Sequence, residues 1–359
     1  MTGKSNSNSA IRFLVSMAAI VIIIEGVNYA QPILASFLVA VFFAVIGTRP
    51  VRWLERKRIP SVIAVLLVVT GMITILLIAG AIVGESITSF YTELPAYQTR
   101  LLKQALAFQS FLAGKGIRGI DKVLLGFVNP EVVMNLTARL LAGLGAALSK
   151  IVLIFITVAF ILFETSSFPA KLRVVLGDPR QVFPQFTRFA GDMERYMIIK
   201  TLINLATGLL VGIWLAVIGV DFPVLWGFLT FLLHYVPNIG IVIAAFPALL
   251  LTLIQFGAGT AALAAAGYIV VDSIVGYVIE TRLMGKKLGL STLVVFLSLL
   301  FWGGLLGPVG MVLCIPLTMT LKFACENNEG TRWIAVLLGP EVPAENIPPV
   351  AKRGKNPIL

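Results

Sequence analysis

FPVLWGFLTFLLHYVPNIGIVIAAFPALLLTLIQF, residues 222–256, decides the reading of this chain. It lies within 50 consecutive residues, 222–271, that contain no Asp, Glu, Lys or Arg. A membrane-spanning helix needs about 20 apolar residues. The 35 residues quoted are too long for one ordinary span and too short for two spans and a turn. They are also broken near their middle by Pro237-Asn238-Ile239-Gly240. A second uncharged run, residues 288–321, is broken the same way by Gly307-Pro308-Val309-Gly310. An apolar run interrupted at half depth predicts a helical hairpin that enters the bilayer, turns and leaves on the side it came from. Irregular backbone at that depth is tolerated only where protein buries it or where it lines a cavity. Two such interruptions in corresponding positions point to a transporter's solute site.

The whole chain agrees with that class. Its 359 residues are 58% hydrophobic and 13% charged, with mean hydropathy +0.97. Soluble domains carry about 25% charged residues. The sequence predicts an all-α polytopic membrane protein: about six full spans plus two re-entrant helical hairpins, eight apolar segments in all, arranged as an inverted repeat. The net charge of +11 lies mainly in loops. It therefore reads as topology and anionic lipid rather than nucleic acid. One histidine and two cysteines offer no Cys/His metal cluster. Cys314 and Cys325, 11 residues apart on one predicted helix, are about 16 Å apart and cannot bridge. No Walker loop, H-E-x-x-H motif or nucleophile elbow is present, so the chain reads as neither an ATPase nor another enzyme, and no cofactor is expected.

Charge fixes the expected topology. Residues 13–48 read as a tight hairpin of two spans turning at 28–32, with both termini cytoplasmic. Residues 49–58 hold five basic residues and one acid, which the positive-inside rule places in the cytoplasm. The expected divisions are residues 1–60, the N-terminal hairpin and basic loop; 61–163, two spans joined by an outer amphipathic segment; 164–197, a cytoplasmic amphipathic segment; 198–323, the transport core; and 324–359, a cytoplasmic tail. The hairpin reading of 222–256 keeps Arg282, Lys286 and Lys287 on the same side as the first basic loop. A full crossing would put them outside.

Candidate solute contacts follow from the breaks. A half-helix starting at each tip aims unpaired N–H groups and a positive dipole end at the turn. That suits an oxygen-rich or anionic small solute, and freed carbonyls suit a cation. Pro237, Asn238, Gly240, Gly307, Pro308 and Gly310 are the tip candidates, with Asn204 on the preceding span as a path-lining amide. Asn238 either touches solute or only caps its half-helix. Asp272 lies inside a span, on one helical face with Gly276 and Glu280. A carboxylate there faces protein or a cavity and binds a coupling sodium ion or proton, or fixes packing through a partner. His234, three residues before the tip, is a further proton-carrying candidate or a neutral hydrogen-bonding group. Lys200 on the Tyr196-Lys200-Asn204-Gly208-Gly212 stripe reads as a snorkelling side chain.

The stretch from Trp226 to Gly240 resembles the signature of the autoinducer-2 exporter (AI-2E) family of bacterial permeases. So do Glu280-Thr281-Arg282-Leu283-Met284-Gly285, the run from Phe301 to Gly310, Pro316-Leu317-Thr318, and the upstream Arg195-Tyr196 and Lys200-Thr201. His234 stands where the family pattern usually has Asn, and Thr281 where it usually has Pro. The resemblance implies a bacterial inner-membrane exporter of a small polar signal. It implies an elevator-like movement in a homo-oligomer, a pentamer. It also implies a second class, since some members are described as sodium/proton antiporters. A passive channel and a non-transporting scaffold are the other classes. Uphill transport sensitive to an uncoupler separates a carrier from a channel, and loss of both tips leaves a scaffold intact. For the topology, a single cysteine at position 286, in a background lacking Cys314 and Cys325, is expected to resist an impermeant maleimide in intact cells. Labelling from outside would end the hairpin reading.

Overall fold

The structure is a computed structural model that describes residues 4–114, 138–139, 141–143, 151–176, 184–284, 289–327 and 330–340. All regular elements among these residues are helical: α1 (Lys4–Arg56), α2 (Ser61–Gly114), α3 (Ile151–Leu176), α4 (Pro184–Ile218), α5 (Pro223–Leu233), α6 (Gly240–Phe256), α7 (Ala258–Val271), a π-helical segment (Asp272–Ile279), α8 (Glu280–Met284), α9 (Thr292–Glu326) and α10 (Arg332–Leu337). Five stretches are long and apolar enough to cross a membrane: Glu25–Arg56, Ser61–Arg100, Gln185–Ile218, Ala258–Leu283 and Thr292–Glu326. The chain is an all-α polytopic membrane protein, as its composition demands.

Both interrupted runs fold back on themselves. In the first, α5 ends at Leu233, and α6 starts at Gly240 after a turn in which Asn238 adopts φ 61°. Asparagine tolerates this left-handed conformation better than most residues. The open end of the hairpin is closed by Asp221 and Gln255: the Asp221 amide donates to Gln255 Oε1 (3.3 Å), and Gln255 Nε2 donates to the Asp221 carboxylate. Trp226 Nε1 donates to the Asp221 carbonyl (2.9 Å), and the Tyr97 hydroxyl of α2 donates to the Asp221 carboxylate (2.7 Å). In the second run α9 is continuous by length, yet Gly307 has φ 65° and ψ −149°. Trp302 Nε1 donates to Thr318 Oγ1 at 3.0 Å. Residues 16 apart would be about 24 Å apart in a straight helix, so α9 is a hairpin with its turn at Gly307-Pro308. Its open end is held by Lys322 Nζ donating to the Gly289 carbonyl (2.6 Å) and the Ser291 amide donating to the Leu338 carbonyl (3.2 Å).

The N-terminal hairpin is not present. Residues 13–48 belong to the single helix α1, about 80 Å long at 1.5 Å per residue. Pro32 stays inside it. A reversal at residues 28–32 would free several backbone groups with nothing to bond. Proline inside a membrane helix disturbs far fewer. The N-terminus therefore lies at the far end of a rod from the 49–58 loop, and the turn that placed both on one side is gone. Likewise, residues 85–114 continue α2 rather than lying as separate surface helices. Residues 115–137, the rest of the outer amphipathic segment before residue 138, fall outside the described residues. The divisions drawn at 163/164 and 197/198 fall inside α3 and α4.

Three buried clusters organise the helices. Ala40, Ala44 and Val51 of α1 pack with Ala64, Val65, Val68 and Val69 of α2 and with Phe155, Val158 and Leu162 of α3. A second cluster joins the first hairpin (Leu225, Trp226, Leu229, Ala248, Leu251) to Val83, Phe90 and Tyr97 of α2, Val211 and Leu215 of α4, and Ala264 and Tyr268 of α7. A third joins Leu299, Cys314 and Ile315 of the second hairpin to Met193, Tyr196 and Met197 of α4 and to Val236 at the first tip. Cys314 and Cys325 are free thiols.

α4 and α5 approach each other closely. A Cβ on Gly208 would sit 2.6 Å from the Gly227 carbonyl oxygen, and one on Gly227 would sit 2.7 Å from the Gly208 carbonyl oxygen. Small residues here let two backbones touch, the means by which membrane helices associate without a hydrophobic drive. Gly208→Ala is expected to cost about 1–3 kcal/mol, the usual penalty of overpacking. Gly71→Ala, where a Cβ meets nothing within 4 Å, should be neutral. Unfolding midpoints of the two variants in detergent give the comparison.

Candidate functional site

A cluster of polar side chains lies where α4, the first hairpin tip and the π segment converge. Lys200 and Asn204, one turn apart on α4, are 7% and 0% exposed. The Lys200 ammonium donates to both oxygens of Glu280, at 2.8 and 2.9 Å. Burying an ion pair costs desolvation on both sides, and two hydrogen bonds to one carboxylate are the geometry that offsets it. Eight residues before Glu280, Asp272 Oδ1 stands 3.6 Å from His234 Nε2. Gly276 makes that approach possible: a Cβ there would meet Asp272 Oδ1 at 2.5 Å and the His234 ring at 3.2 Å. The other ring nitrogen of His234, Nδ1, is buried without a hydrogen-bond partner.

The tip beside this cluster is fastened to α4. The Asn204 amide, oriented to satisfy its neighbours, donates to the Lys200 carbonyl and accepts from the Tyr235 amide, each at 3.2 Å. The Tyr235 hydroxyl donates to Thr201 Oγ1 at 2.8 Å. Phe42 of α1 packs edge-on against the Tyr235 ring, with centroids 5.5 Å apart. Asn204 thus holds the turn in place and does not line an open path. The π segment between Asp272 and Glu280 widens the helix at the same level. Such segments occur mostly as local insertions and are frequent at functional sites.

The two tips stand at different levels. Tyr235 of the first lies against Phe42. Gly307 of the second lies against Gln31, whose Nε2 would be 2.7 Å from a Cβ at that position. These α1 positions are about 16 Å apart along the helix axis. The second hairpin thus runs past the first, and the two tips do not meet. Asn238 is exposed and Pro237 half-buried, and no side chain caps the N-terminus of α6. Pro308 is exposed beside Gly307. Gly240 and Gly310 have another task. Both are buried, and a Cβ on either would collide with a carbonyl of the opposite arm, that of Leu233 or Trp302. They let the arms close, and their matched roles make the two hairpins structural counterparts.

Of the residues singled out in the sequence, Asn204, His234, Asp272 and Glu280 come together, and the second tip stands apart from them. Lys200 was read as snorkelling and is instead the cluster's buried cation. Its i+4 spacing to Asn204 was visible. Its partner, 80 residues away, was not. Gln31, Phe42, Thr201 and Tyr235 do not stand out from the sequence as site residues, although Thr201 and Tyr235 lie in the stretches that carry the family resemblance. Among the described residues no three His, Cys, Asp or Glu side chains group as a metal set.

Comparison with known proteins gives the class. Residues 11–329 match the family described as AI-2E family transporter, and the chain belongs to it. It is 37% identical over 330 residues to the AI-2 transport protein TqsA of Escherichia coli (strain K12), covering 92% of this chain and 96% of that one. It is 35% identical over 340 residues to YhhT of the same organism, covering 95% and 97%. A Haemophilus influenzae relative is 34% identical over 335 residues, covering 91% and 96%. The protein is therefore a multi-pass membrane transporter. Glu280→Gln, which leaves the Lys200 charge buried without its counter-charge, is expected to cost about 3–5 kcal/mol. Glu280→Gln combined with Lys200→Met should recover most of that loss, read by unfolding in a denaturing detergent series.

Proposed function

We propose that this chain exports a small, oxygen-rich polar solute across a bacterial inner membrane, with an autoinducer-2-like signal as the favoured substrate. The carrying observation is the cluster of the Lys200–Glu280 and His234–Asp272 pairs, in which Lys200 and His234 are buried and the Asp272 side chain is 41% exposed, set between a hairpin tip and a π segment among otherwise apolar helices. Ionisable groups at this depth mark solute or ion pathways. A hydroxylated ring meets donors in Lys200 and His234 and acceptors in the two carboxylates, with Asn238 exposed at the adjoining turn. The name of TqsA supports the substrate class.

The transport cycle in this reading is elevator-like. The first hairpin shares its buried cluster with α7, the C-terminal half of α4, and Val83, Phe90 and Tyr97 of α2. In this reading the cluster formed by α1, the N-terminal part of α2 and α3 serves as the frame, in a homo-oligomer. The basic loop at 49–58 and the segment at 282–287 face the cytoplasm, following the positive-inside rule. Asp272 couples solute movement to a proton, which it shares with His234.

Asp272→Asn is expected to lose gradient-driven accumulation in proteoliposomes while keeping downhill exchange of the solute. Normal gradient-driven transport by the variant would remove Asp272 from the mechanism. Asn238→Gly keeps the positive φ of the turn and deletes only the amide. It should raise the solute KM with little change in protein yield. An unchanged KM would show that the amide is not a solute contact.

A further inference from the structure

The formal charges of the buried cluster do not cancel. Asp272 and Glu280 bring two negative charges and Lys200 one positive charge, so the sum with a neutral His234 is −1. The single ammonium is committed to Glu280 by two bonds of 2.8 and 2.9 Å. Asp272 itself has only a 3.6 Å contact with the His234 ring, longer than a hydrogen bond. The two carboxylates lie at the two ends of the π segment, and among the described residues Lys200 is the cation bonded to Glu280.

An ammonium with three N–H donors does for a carboxylate such as Glu280 what a dehydrated monovalent cation does. It supplies one positive charge at hydrogen-bonding range of the oxygens. The difference is that it cannot leave. Lys200 stays attached to α4, and Asn204 and Thr201 tie that stretch of α4 to the hairpin tip. A free cation arriving at Glu280 would find its position filled.

We propose that Lys200 is the built-in cation of this site. It occupies the place that sodium or another small monovalent cation would take beside Glu280, so no free cation binds there. This rests on the cluster being the transport site, and it goes further by assigning the cation position beside Glu280 and excluding sodium from that position. It also makes cation selectivity a property of one side chain. Removing that side chain beyond Cβ leaves a cavity bordered by carboxylate oxygens, sized for a small cation in place of the lost ammonium.

The test uses purified full-length Lys200→Ala, Lys200→Ala combined with Glu280→Gln, and the unsubstituted protein. Unfolding midpoints are measured in sodium chloride, methylammonium chloride and N-methylglucamine chloride at one ionic strength. Lys200→Ala is expected to be stabilised by sodium or methylammonium, with the midpoint rising with the logarithm of concentration as linkage requires. The unsubstituted protein should be indifferent, and so should the double variant, whose Glu280 charge is gone. In proteoliposomes Lys200→Ala should lose at least tenfold in solute flux in N-methylglucamine and regain most of it with sodium or methylammonium. Stability is read without any transport, so a cation response in the absence of flux upholds the built-in cation and tells against the transport reading alone. The proposal is overturned by Lys200→Ala protein that folds and ignores all three salts. A sodium response of equal size in the unsubstituted protein or the double variant overturns it too, as does failure to recover folded Lys200→Ala at any cation concentration.

Discussion

A chain that reverses direction inside a bilayer has no water to receive the backbone groups freed at the turn, and every other feature of this molecule answers to that shortage. Each reversal is closed from within. At the first tip the Tyr235 amide is taken by Asn204 of α4, and the Tyr235 hydroxyl reaches Thr201. The second hairpin is clasped by the Trp302–Thr318 bond across its two arms. Gly240 and Gly310 bring the arms close enough for these contacts to form. The polar side chains that make a site are thus first the side chains that make a turn survivable.

The same shortage explains why the hairpins were legible in the sequence and the N-terminal turn was not there to be found. Pro-Asn-Ile-Gly and Gly-Pro-Val-Gly carry their own turn chemistry: a residue that accepts positive φ, a ring that starts a helix, and glycines that allow close approach. Asn28-Tyr29-Ala30-Gln31-Pro32 offers polarity and a proline but no glycine and nothing to receive the freed groups, and α1 runs straight through. Polarity in a membrane helix marks a contact more often than a bend. Gln31 illustrates this, since it faces the break at Gly307.

The cluster divided along similar lines. Asp272, Glu280, His234 and Asn204 stood out because each is expensive in an apolar run. Their pairing did not, because Lys200–Glu280 joins positions 80 residues apart and depends on how α4 lies against α8. The π segment was equally hidden. It depends on the local helical register, and Gly276 looked like one more small residue until it proved to be the gap that admits the His234 ring.

The Gly208–Gly227 crossing has a mechanical meaning. Two backbones within touching distance, tied again at Thr201 and Asn204, cannot slide past one another, so the first hairpin and α4 form one stiff strut. The foot of that strut is Glu194, held to Arg49 and Arg52 of α1 by bridges of 2.8 and 3.3 Å whose arginines are more than half exposed. Exposed bridges of this kind hold weakly, about 0–1 kcal/mol each. In the elevator-like cycle proposed above, a displacement of the turn would be carried along this strut to Glu194, whose side chain is 14% exposed, and the contacts it would strain there are those with the two exposed arginines. The joint is soft where the strut is hard, which makes this part of α1 a bearing rather than an anchor.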